Sequence, residues 1–155
     1  RFYHIEFFKN LLLIELRRAK RYNYPLSVCL IALDPSTVPS HAPKAEARIH
    51  AKIGRVITET IRDIDIPVFV GQEKLLILLP HTSMRGGVRV ARRLRAAIAD
   101  QTETAKEKLF RVTASIGVAA TEVDAPVSFS ALMQRARRAL DRARQRGGNA
   151  VGTCP

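Results

Sequence analysis

The sequence predicts an α/β domain in which helices alternate with the strands of a central sheet. Apolar positions recur at helical spacing in four segments, and shorter apolar runs lie between them. The run over residues 25–33, PLSVCLIAL, is almost continuously apolar, which is typical of a central strand covered on both faces. Two further runs, 66–70 and 75–79, flank a Gly-Gln-Glu-Lys turn and predict a β-hairpin.

The helices are predicted over residues 5–23, 44–62, 83–99 and 130–146, and a further strand over 110–119. Basic residues crowd the last turns of the first helix, where the helix dipole favours them. Gly86 and Gly87 cost the third helix about 1 kcal/mol each relative to alanine, so its first turn is expected to be loose or closely packed. The fourth helix ends at Gly147 and Gly148 as a C-cap. The segments 34–43, 100–108 and 121–128 are predicted to be turns, linkers or loops.

Composition places the chain among folded, soluble proteins of one domain. It has 155 residues, of which 46% are hydrophobic and 26% charged, and no apolar run approaches the roughly 20 residues that cross a bilayer. Cys29 and Cys154 have neither paired spacing nor nearby histidine clusters, which argues against a metal or redox site and favours a reducing, cytoplasmic setting. Because the chain opens in mid-pattern without Met, we expect residues 1–155 to be a domain of a longer protein.

The formal net charge of +12 attracts nucleic acid, anionic membranes and phosphorylated small molecules alike, and does not choose among them. Much of the excess falls on two arginine-rich helices, whose solvated faces are the ordinary explanation. Aromatic residues are sparse and Trp is absent, which weakens a stacking surface for single strands. We therefore expect no specific nucleic-acid partner.

Four segments carry motifs that agree in order and spacing with one known family. They are ELRRAKRYNYPLSVCLIALD, RDIDIPVFVGQEKLLILLP, RVTASIGVA and ALMQRARRALDRARQRGGNAV. Each is weak alone, but together they resemble the GGDEF family of diguanylate cyclases over nearly the whole chain. The resemblance implies a nucleotidyl-cyclase-like fold, in which helices flank a central mixed sheet.

The chain departs from this family where cyclase chemistry needs particular residues. Family cyclases hold two magnesium ions with an Asp at the end of the first strand and an acid of the GGDEF signature. This chain has Ala32 at the first position, with Asp34 two residues on, and it reads GQEKL over residues 71–75. The FKxIND segment, whose Asn helps read guanine, is replaced by STVPSH, and the phosphate-binding Lys by Arg144. The resemblance thus implies a domain with no catalytic residue, no metal site and no cofactor.

The family's inhibitory, product-binding site is the part that the sequence retains. In the family, an RxxD pair, a second arginine on the helix after the hairpin, and often an arginine from a neighbouring domain bind cyclic di-GMP. Here Arg62 and Asp65 match the RxxD pair, Arg93 the second arginine and Arg18 the cross-domain arginine. A guanidinium pairs bidentately with guanine O6 and N7, and a carboxylate can accept from guanine N1–H and N2–H. The sequence therefore predicts a cyclic di-GMP receptor.

Other interpretations stay open at this stage. Arg62 and Asp65 could form a surface ion pair worth a few tenths of a kcal/mol. Glu73 could be a vestigial metal ligand or a turn carboxylate. The domain could be a module that binds no nucleotide and instead dimerises or regulates a neighbouring domain, or it could retain GTP binding or cyclase activity. The downstream output, the affinity and whether Arg18 acts in cis or in trans are not encoded in this pattern.

Overall fold

The computed structural model describes residues 3–35, 42–70, 74–105, 107–121 and 128–154. Its helices are α1 (Ile5–Tyr22), α2 (Pro43–Thr60), α3 (Met84–Ala99) and α4 (Phe129–Gln145). Its strands are β1 (Tyr3–His4), β2 (Leu26–Leu33), β3 (Ile66–Phe69), β4 (Lys74–Pro80), β5 (Thr102–Ala105), β6 (Lys108–Arg111), β7 (Ala114–Ala120) and β8 (Val151–Thr153).

A mixed sheet of order β1-β3-β4-β2-β7-β8 forms the centre of the molecule. Strand β2 pairs antiparallel with both β4 and β7, and β3 pairs antiparallel with β4. The outer strands β1 and β8 run parallel to β3 and β7. The predicted α/β fold with a central mixed sheet is therefore confirmed, and β2 is the central strand that its apolar run indicated.

The helices cover both faces of the sheet, so the core has two halves. On one face, α1 and α4 bury side chains such as Leu12, Leu16 and Leu140 against the even-numbered residues of β2. On the other face, α2 and α3 bury Ile49, Leu94 and their neighbours against the odd-numbered residues. Alternate side chains of a strand point to opposite faces, and both faces of β2 are apolar because both are covered.

Serine side chains fix where α3 and α4 begin. Ser83 accepts a hydrogen bond from the Gly86 amide, and Ser128 accepts one from the Ala131 amide, as N-cap residues do. The first turn of α3 is closely packed rather than loose: a Cβ on Gly87 would lie 2.8 Å from Ser27 Oγ. Helix α3 thus lies directly on the central strand.

The outermost strands and the small hairpin β5–β6 were not predicted from the sequence, and two strands were predicted as one. Residues 110–119 belong to β6 and β7, separated at Val112 and Thr113. The segment predicted as a polar linker folds because α2 supplies partners: Lys52 Nζ donates to Thr102 O at 2.8 Å, and Arg48 and Lys52 both pair with Glu103. Hydrogen bonds from Lys52 and then Arg48 lower the pKa of Glu103 to about 2. A short polar strand that is stabilised by contacts with a distant helix shows no hydrophobic periodicity in its own sequence.

Both cysteines lie in buried positions. Burial, and then the negative charge of Asp65, raise the pKa of the Cys29 thiol to about 12, so the thiol stays protonated and unreactive. No group of three or more potential His, Cys, Asp or Glu ligands forms among the residues that the structure describes. No helix in the same residues is long and apolar enough to cross a bilayer.

Helix α4 approaches β7 so closely that Gly117 has no room for a side chain. A Cβ at this position would lie 2.3 Å from Leu140 N and 2.4 Å from Ala136 O, both backbone atoms of α4. We expect Gly117→Ala to lower the free energy of unfolding by about 1–3 kcal/mol, because overpacking forces backbone shifts. Urea denaturation measures the change.

The matched control for this prediction is Gly86→Ala, where the added Cβ would lie 3.0 Å from the Thr82 methyl group, so that a shift of a few tenths of an ångström by one side chain is enough and no backbone atom must move. Alanine also favours helix over glycine, so this variant should stay close to the wild type. Equal stability of both variants would contradict the close packing of α4 on β7.

Candidate functional site

The two ends of the sheet carry the residues that the sequence analysis singled out. At one end, where β3 begins and β4 ends, lie Arg62 and Asp65, and we call this the Arg62 end. At the other, where β2 ends and β4 begins, lie Asp34 and Lys74, and we call this the Asp34 end. The two groups of residues are therefore separated by the length of the central strands.

Arg62 and Asp65 form a closed ion pair just beyond α2. The Asp65 carboxylate accepts from the Arg62 backbone amide at 2.8 Å, from Nε at 3.3 Å and from Nη2 at 2.9 Å. The Asp65 side chain is 1% exposed, whereas that of Arg62 is 49% exposed. The helix was predicted to run through residue 62, but it ends at Thr60, because the Arg62 amide bonds to Asp65 instead of continuing the helical ladder.

The end of β4 holds the other side of the Arg62 guanidinium. Arg62 Nη2 donates to Pro80 O at 2.9 Å and to Thr82 Oγ1 at 2.7 Å, and the Thr82 hydroxyl donates to Pro80 O at 2.9 Å. Sequence reasoning missed Thr82, because a single threonine after a strand carries no distinctive signal. Nη1 of Arg62 has no hydrogen-bond partner among the described residues, so a guanidinium in a fixed orientation keeps two unused donors.

Arg93 lies on the same layer of the molecule as Arg62. Helices α2 and α3 pack side by side. Their opposite directions are shown by the contact of Arg62 with Thr82 at one end of the pair and of Lys52 with Thr102 towards the other. Arg93 is nine residues beyond Met84, or about 14 Å along α3. Arg93 is exposed, and it makes no ion pair or hydrogen bond with another residue in the described part of the chain.

Arg18 is the one predicted ligand residue that the fold separates from the others. It lies on α1, which packs against the opposite face of the sheet from α2 and α3. Its side chain is 57% exposed and pairs with Glu15 at 3.5 Å. One copy of the chain therefore does not bring Arg18 into the Arg62 and Arg93 layer.

A chain of contacts nevertheless links α1 to the Arg62 end. Glu15 accepts a hydrogen bond from the Tyr24 hydroxyl, and the Tyr24 ring stacks on His81 with centroids 3.8 Å apart. His81 lies between Pro80 and Thr82, the two residues that hold Arg62. Burial, then the hydrogen bond to Glu15 and its charge, raise the pKa of Tyr24 to about 12.

At the Asp34 end, neighbouring groups of the protein donate hydrogen bonds to the Asp34 carboxylate. Asp34 accepts from Thr113 Oγ1 and Ser115 Oγ, each at 2.6 Å, and from the backbone amide of Asn149 at 2.8 Å. This carboxylate joins the end of β2, the start of β7 and the turn after α4. The sequence analysis gave Asp34 no such role, because its partners lie 79 to 115 residues away.

The neighbouring position on β2 carries no ligand atom in its side chain. Ala32 is buried, and its partner in the antiparallel pairing with β4 is Lys74. Gly71, Gln72 and Glu73, like residues 36–41, lie outside the residues that the structure describes. Arg144 is exposed near the end of α4.

The fold is an α/β domain with helices on both faces of a mixed sheet. A family model described as "Diguanylate cyclase, GGDEF domain" matches residues 47–150, which is most of the chain. The chain therefore belongs to the GGDEF domain family.

Proteins of known name and structure agree with this assignment. Response regulator PleD of Caulobacter vibrioides is 33% identical over 99 residues, and Diguanylate cyclase A of Treponema denticola is 29% identical over 100 residues. These alignments cover 61% and 64% of this chain but only 21% and 27% of those proteins, so the chain spans a minor part of each relative.

Two crystal structures show the same fold at low sequence identity. The GGDEF domain of DgcB from Caulobacter crescentus, in complex with c-di-GMP, superposes with a TM-score of 0.83 at 15% identity and covers 94% of this chain and 86% of its own. The FimX GGDEF domain from Pseudomonas aeruginosa gives 0.81 at 18% identity and covers 96% and 93%.

The Tyr24 contact predicts a pH dependence of stability. Because the folded pKa lies above the unfolded value of about 10, the folded state retains the proton longer, and stability falls as the pH rises from about 10 to 12. In thermal melts across this range, Tyr24→Phe should lose less stability than the wild type. Tyr22→Phe, which removes an exposed phenol, should follow the wild type. Parallel curves for all proteins would contradict this role of Tyr24.

Proposed function

We propose that this chain is a GGDEF domain without cyclase activity that acts as a receptor for cyclic di-GMP. Arg62 and Arg93 would bind the ligand, Asp65 would hold Arg62 in place, and Arg18 of a second copy or an arginine of a neighbouring domain would complete the site. One observation carries the proposal: hydrogen bonds to three residues hold the Arg62 guanidinium, yet the side chain is about half exposed and its Nη1 is unused among the described residues.

The geometry of Arg62 suits guanine on an anionic ligand. Nε and Nη2 of Arg62 are already used, so the two N–H groups of Nη1 remain to donate to acceptors such as guanine O6 or N7 or a phosphate oxygen, and the charge of Arg62 is complementary to phosphate. The contacts with Asp65, Pro80 and Thr82 restrict the side chain before a ligand arrives, which lowers the entropy cost of binding.

The burial of Asp65 changes its expected role. The sequence analysis predicted that this carboxylate accepts hydrogen bonds from guanine, but its side chain is 1% exposed and already accepts from Arg62. Contact with a ligand would require Asp65 to leave its present partners. In the proposal, Asp65 therefore acts as a positioning residue for Arg62.

Arg93 supports the same site from the adjacent helix. It follows Arg62 by 31 residues (93 minus 62), the offset at which the family's second arginine is expected. It is exposed in the α2–α3 layer, with no other described residue to neutralise it. A ligand with two phosphates and two bases is large enough to engage two such arginines.

The proposed loss of cyclase activity rests on the donor set at the Asp34 end. Magnesium prefers oxygen ligands in octahedral geometry. Ala32 offers only its backbone carbonyl, Lys74 brings a positive charge opposite it, and three protein donors engage the Asp34 carboxylate. The described residues at this end therefore do not fit a magnesium site of the family's kind.

The relatives support the ligand class in general terms. The DgcB domain, whose fold this chain shares, was crystallised in complex with c-di-GMP. Arg18 lies on the opposite face from Arg62 and Arg93, so in the proposal it acts only in trans.

We expect isothermal titration calorimetry to detect cyclic di-GMP binding at tens of micromolar protein. Arg62→Lys keeps a cation beside the buried Asp65 but removes the planar donors, and Arg93→Ala removes the second cation. Each should weaken binding at least about tenfold, because a charge-assisted hydrogen bond contributes about 1.5–3 kcal/mol.

Arg137→Ala is the matched control, because it removes one exposed charge from α4 on the other face of the sheet. The affinity of Arg137→Ala for cyclic di-GMP should stay within about twofold of that of the wild type, because a single exposed charge contributes little. Absence of heat in the wild type, or equal weakening by Arg137→Ala and Arg62→Lys, would contradict the site.

Incubation with GTP and magnesium should yield no cyclic di-GMP above a protein-free blank, because the donor set described above does not fit the metal. Chromatographic detection of the product, with an active diguanylate cyclase as positive control, checks this. Formation of product that is lost in Asp34→Ala would contradict the proposed inactivity.

One observation favours a second function, that of a dimerising or regulatory module that binds no nucleotide. Leu11 and Ile14 are about half exposed and lie three residues apart on α1, an apolar surface that a second helix could cover. This alternative would show no response to cyclic di-GMP, together with a mass in solution that increases with protein concentration.

A further inference from the structure

Helix α3, the end of α4 and the edge strand β8 enclose a second basic region, away from the Arg62 end. A cleft of about 410 Å³ lies between these elements, and we call it the β8 cleft. Arg92 of α3 and Arg142 and Arg146 at the end of α4 line it. No Asp or Glu is among the described residues that line it, so three positive charges face one opening without a neutralising partner there.

We propose that the β8 cleft binds an organic phosphate of about nucleotide size. Its volume falls within the range of about 300–1,000 Å³ that is common for small-molecule sites. Three arginines in one concave site raise the local concentration of anions, and their mutual repulsion is relieved when an anion binds.

The edge of the sheet adds backbone donors to this charge. Strand β8 is the outer strand, so one row of its backbone groups faces away from β7. Two carbonyls in this strand are already used: Val151 O accepts from Arg146 Nη2, and Thr153 O accepts from Arg142 Nη1 at 3.4 Å. The edge is therefore richer in unused donors than in unused acceptors.

This donor excess distinguishes between classes of ligand. An added peptide strand needs alternating donors and acceptors, and two acceptors of the β8 edge are occupied. A phosphate offers only acceptors. A terminal phosphate also has three strong acceptor oxygens and a charge of about −1.5 to −2, compared with two oxygens and one charge for a carboxylate. The cleft thus favours a phosphate over a peptide or a simple carboxylate.

The floor of the cleft has room for a part of the ligand that carries no charge. Val88 and Val151 line it and pack against the core below, and Gln145 adds an amide at the rim. A purely inorganic anion would leave these apolar side chains uncovered. An organic phosphate covers them with its non-phosphate part.

The β8 cleft is distinct from the proposed cyclic di-GMP site. Arg92 and Arg93 are consecutive on α3, so their side chains leave the helix about 100° apart. Arg92 lines the cleft beside β8, whereas Arg93 does not. Arg95, on the β8 side of α3, donates to Asn149 Oδ1 at 2.9 Å, which ties this flank of the helix to the turn before β8.

Calorimetry and thermal melts with inorganic pyrophosphate and with adenosine 5′-diphosphate test the proposal at about 0.15 M salt, where exposed charges are screened beyond about 8 Å. Adenine carries an amino group where guanine has the O6 acceptor, so binding at the Arg62 end is disfavoured. We expect both probes to bind and to raise the melting temperature, the diphosphate more tightly because it covers Val88 and Val151.

Arg92→Ala and Arg142→Ala should each weaken binding of adenosine 5′-diphosphate by about tenfold. Arg92 makes no ion pair or hydrogen bond with another described residue, so its removal should leave the fold intact. Arg137→Ala, which removes an equal charge outside the cleft, should bind within about twofold of the wild type. Arg62→Lys should bind adenosine 5′-diphosphate as tightly as the wild type. This result would show that the β8 cleft does not depend on the proposed cyclic di-GMP site, whether or not cyclic di-GMP binds to the protein.

Three outcomes would overturn the proposal. The first is that neither probe binds. The second is that Arg137→Ala weakens binding of adenosine 5′-diphosphate as much as Arg92→Ala does, and the third is that Arg62→Lys abolishes this binding. A single-stranded DNA 20-mer provides a further arm. If the DNA binds with a steep salt dependence while adenosine 5′-diphosphate does not bind, the basic surface serves nonspecific nucleic-acid contact instead.

Discussion

The buried carboxylate of Asp65 is the constraint on which the Arg62 end depends. A carboxylate with 1% of its side chain exposed needs a cation and hydrogen bonds nearby, and Arg62 provides both through its backbone amide and its guanidinium. The same guanidinium bonds to Pro80 and Thr82. One ion pair therefore ends α2, sets the entry to β3 and attaches both to the end of β4. A surface ion pair of the ordinary kind would do none of this.

This constraint also connects the proposed receptor site to the first helix. Thr82 and Pro80 flank His81, which stacks on Tyr24, and Tyr24 bonds to Glu15 of α1. Glu15 in turn pairs with Arg18. Side-chain contacts therefore connect α1 to the residues that orient Arg62, although α1 and Arg62 lie on opposite faces of the sheet.

Most of the fold could be predicted from the sequence because its strongest patterns are local. The apolar run of β2, the hairpin β3–β4 and the amphipathic helices each follow from a few neighbouring residues. Strands β1 and β8 have two and three residues, and β5 depends on Arg48 and Lys52 of α2, so their formation is decided by distant partners. The same limit applies to the sites. The spacing of Arg62 and Asp65 could be recognised in the sequence, but the burial of the Asp65 side chain could not.

Helix α3 presents arginines to two separate surfaces of the molecule. It has five arginines and no acidic residue, and its buried stripe fixes which arginine faces which neighbour. Gly87, Ala91, Leu94 and Ile98 face the sheet, so Arg92 is directed toward β8 and Arg93 is left in the layer shared with α2. The arginines of α3 are therefore distributed over separate surfaces, for which different ligands are proposed. Each surface is defined by geometry, since charge alone would attract any anion to either flank of the helix.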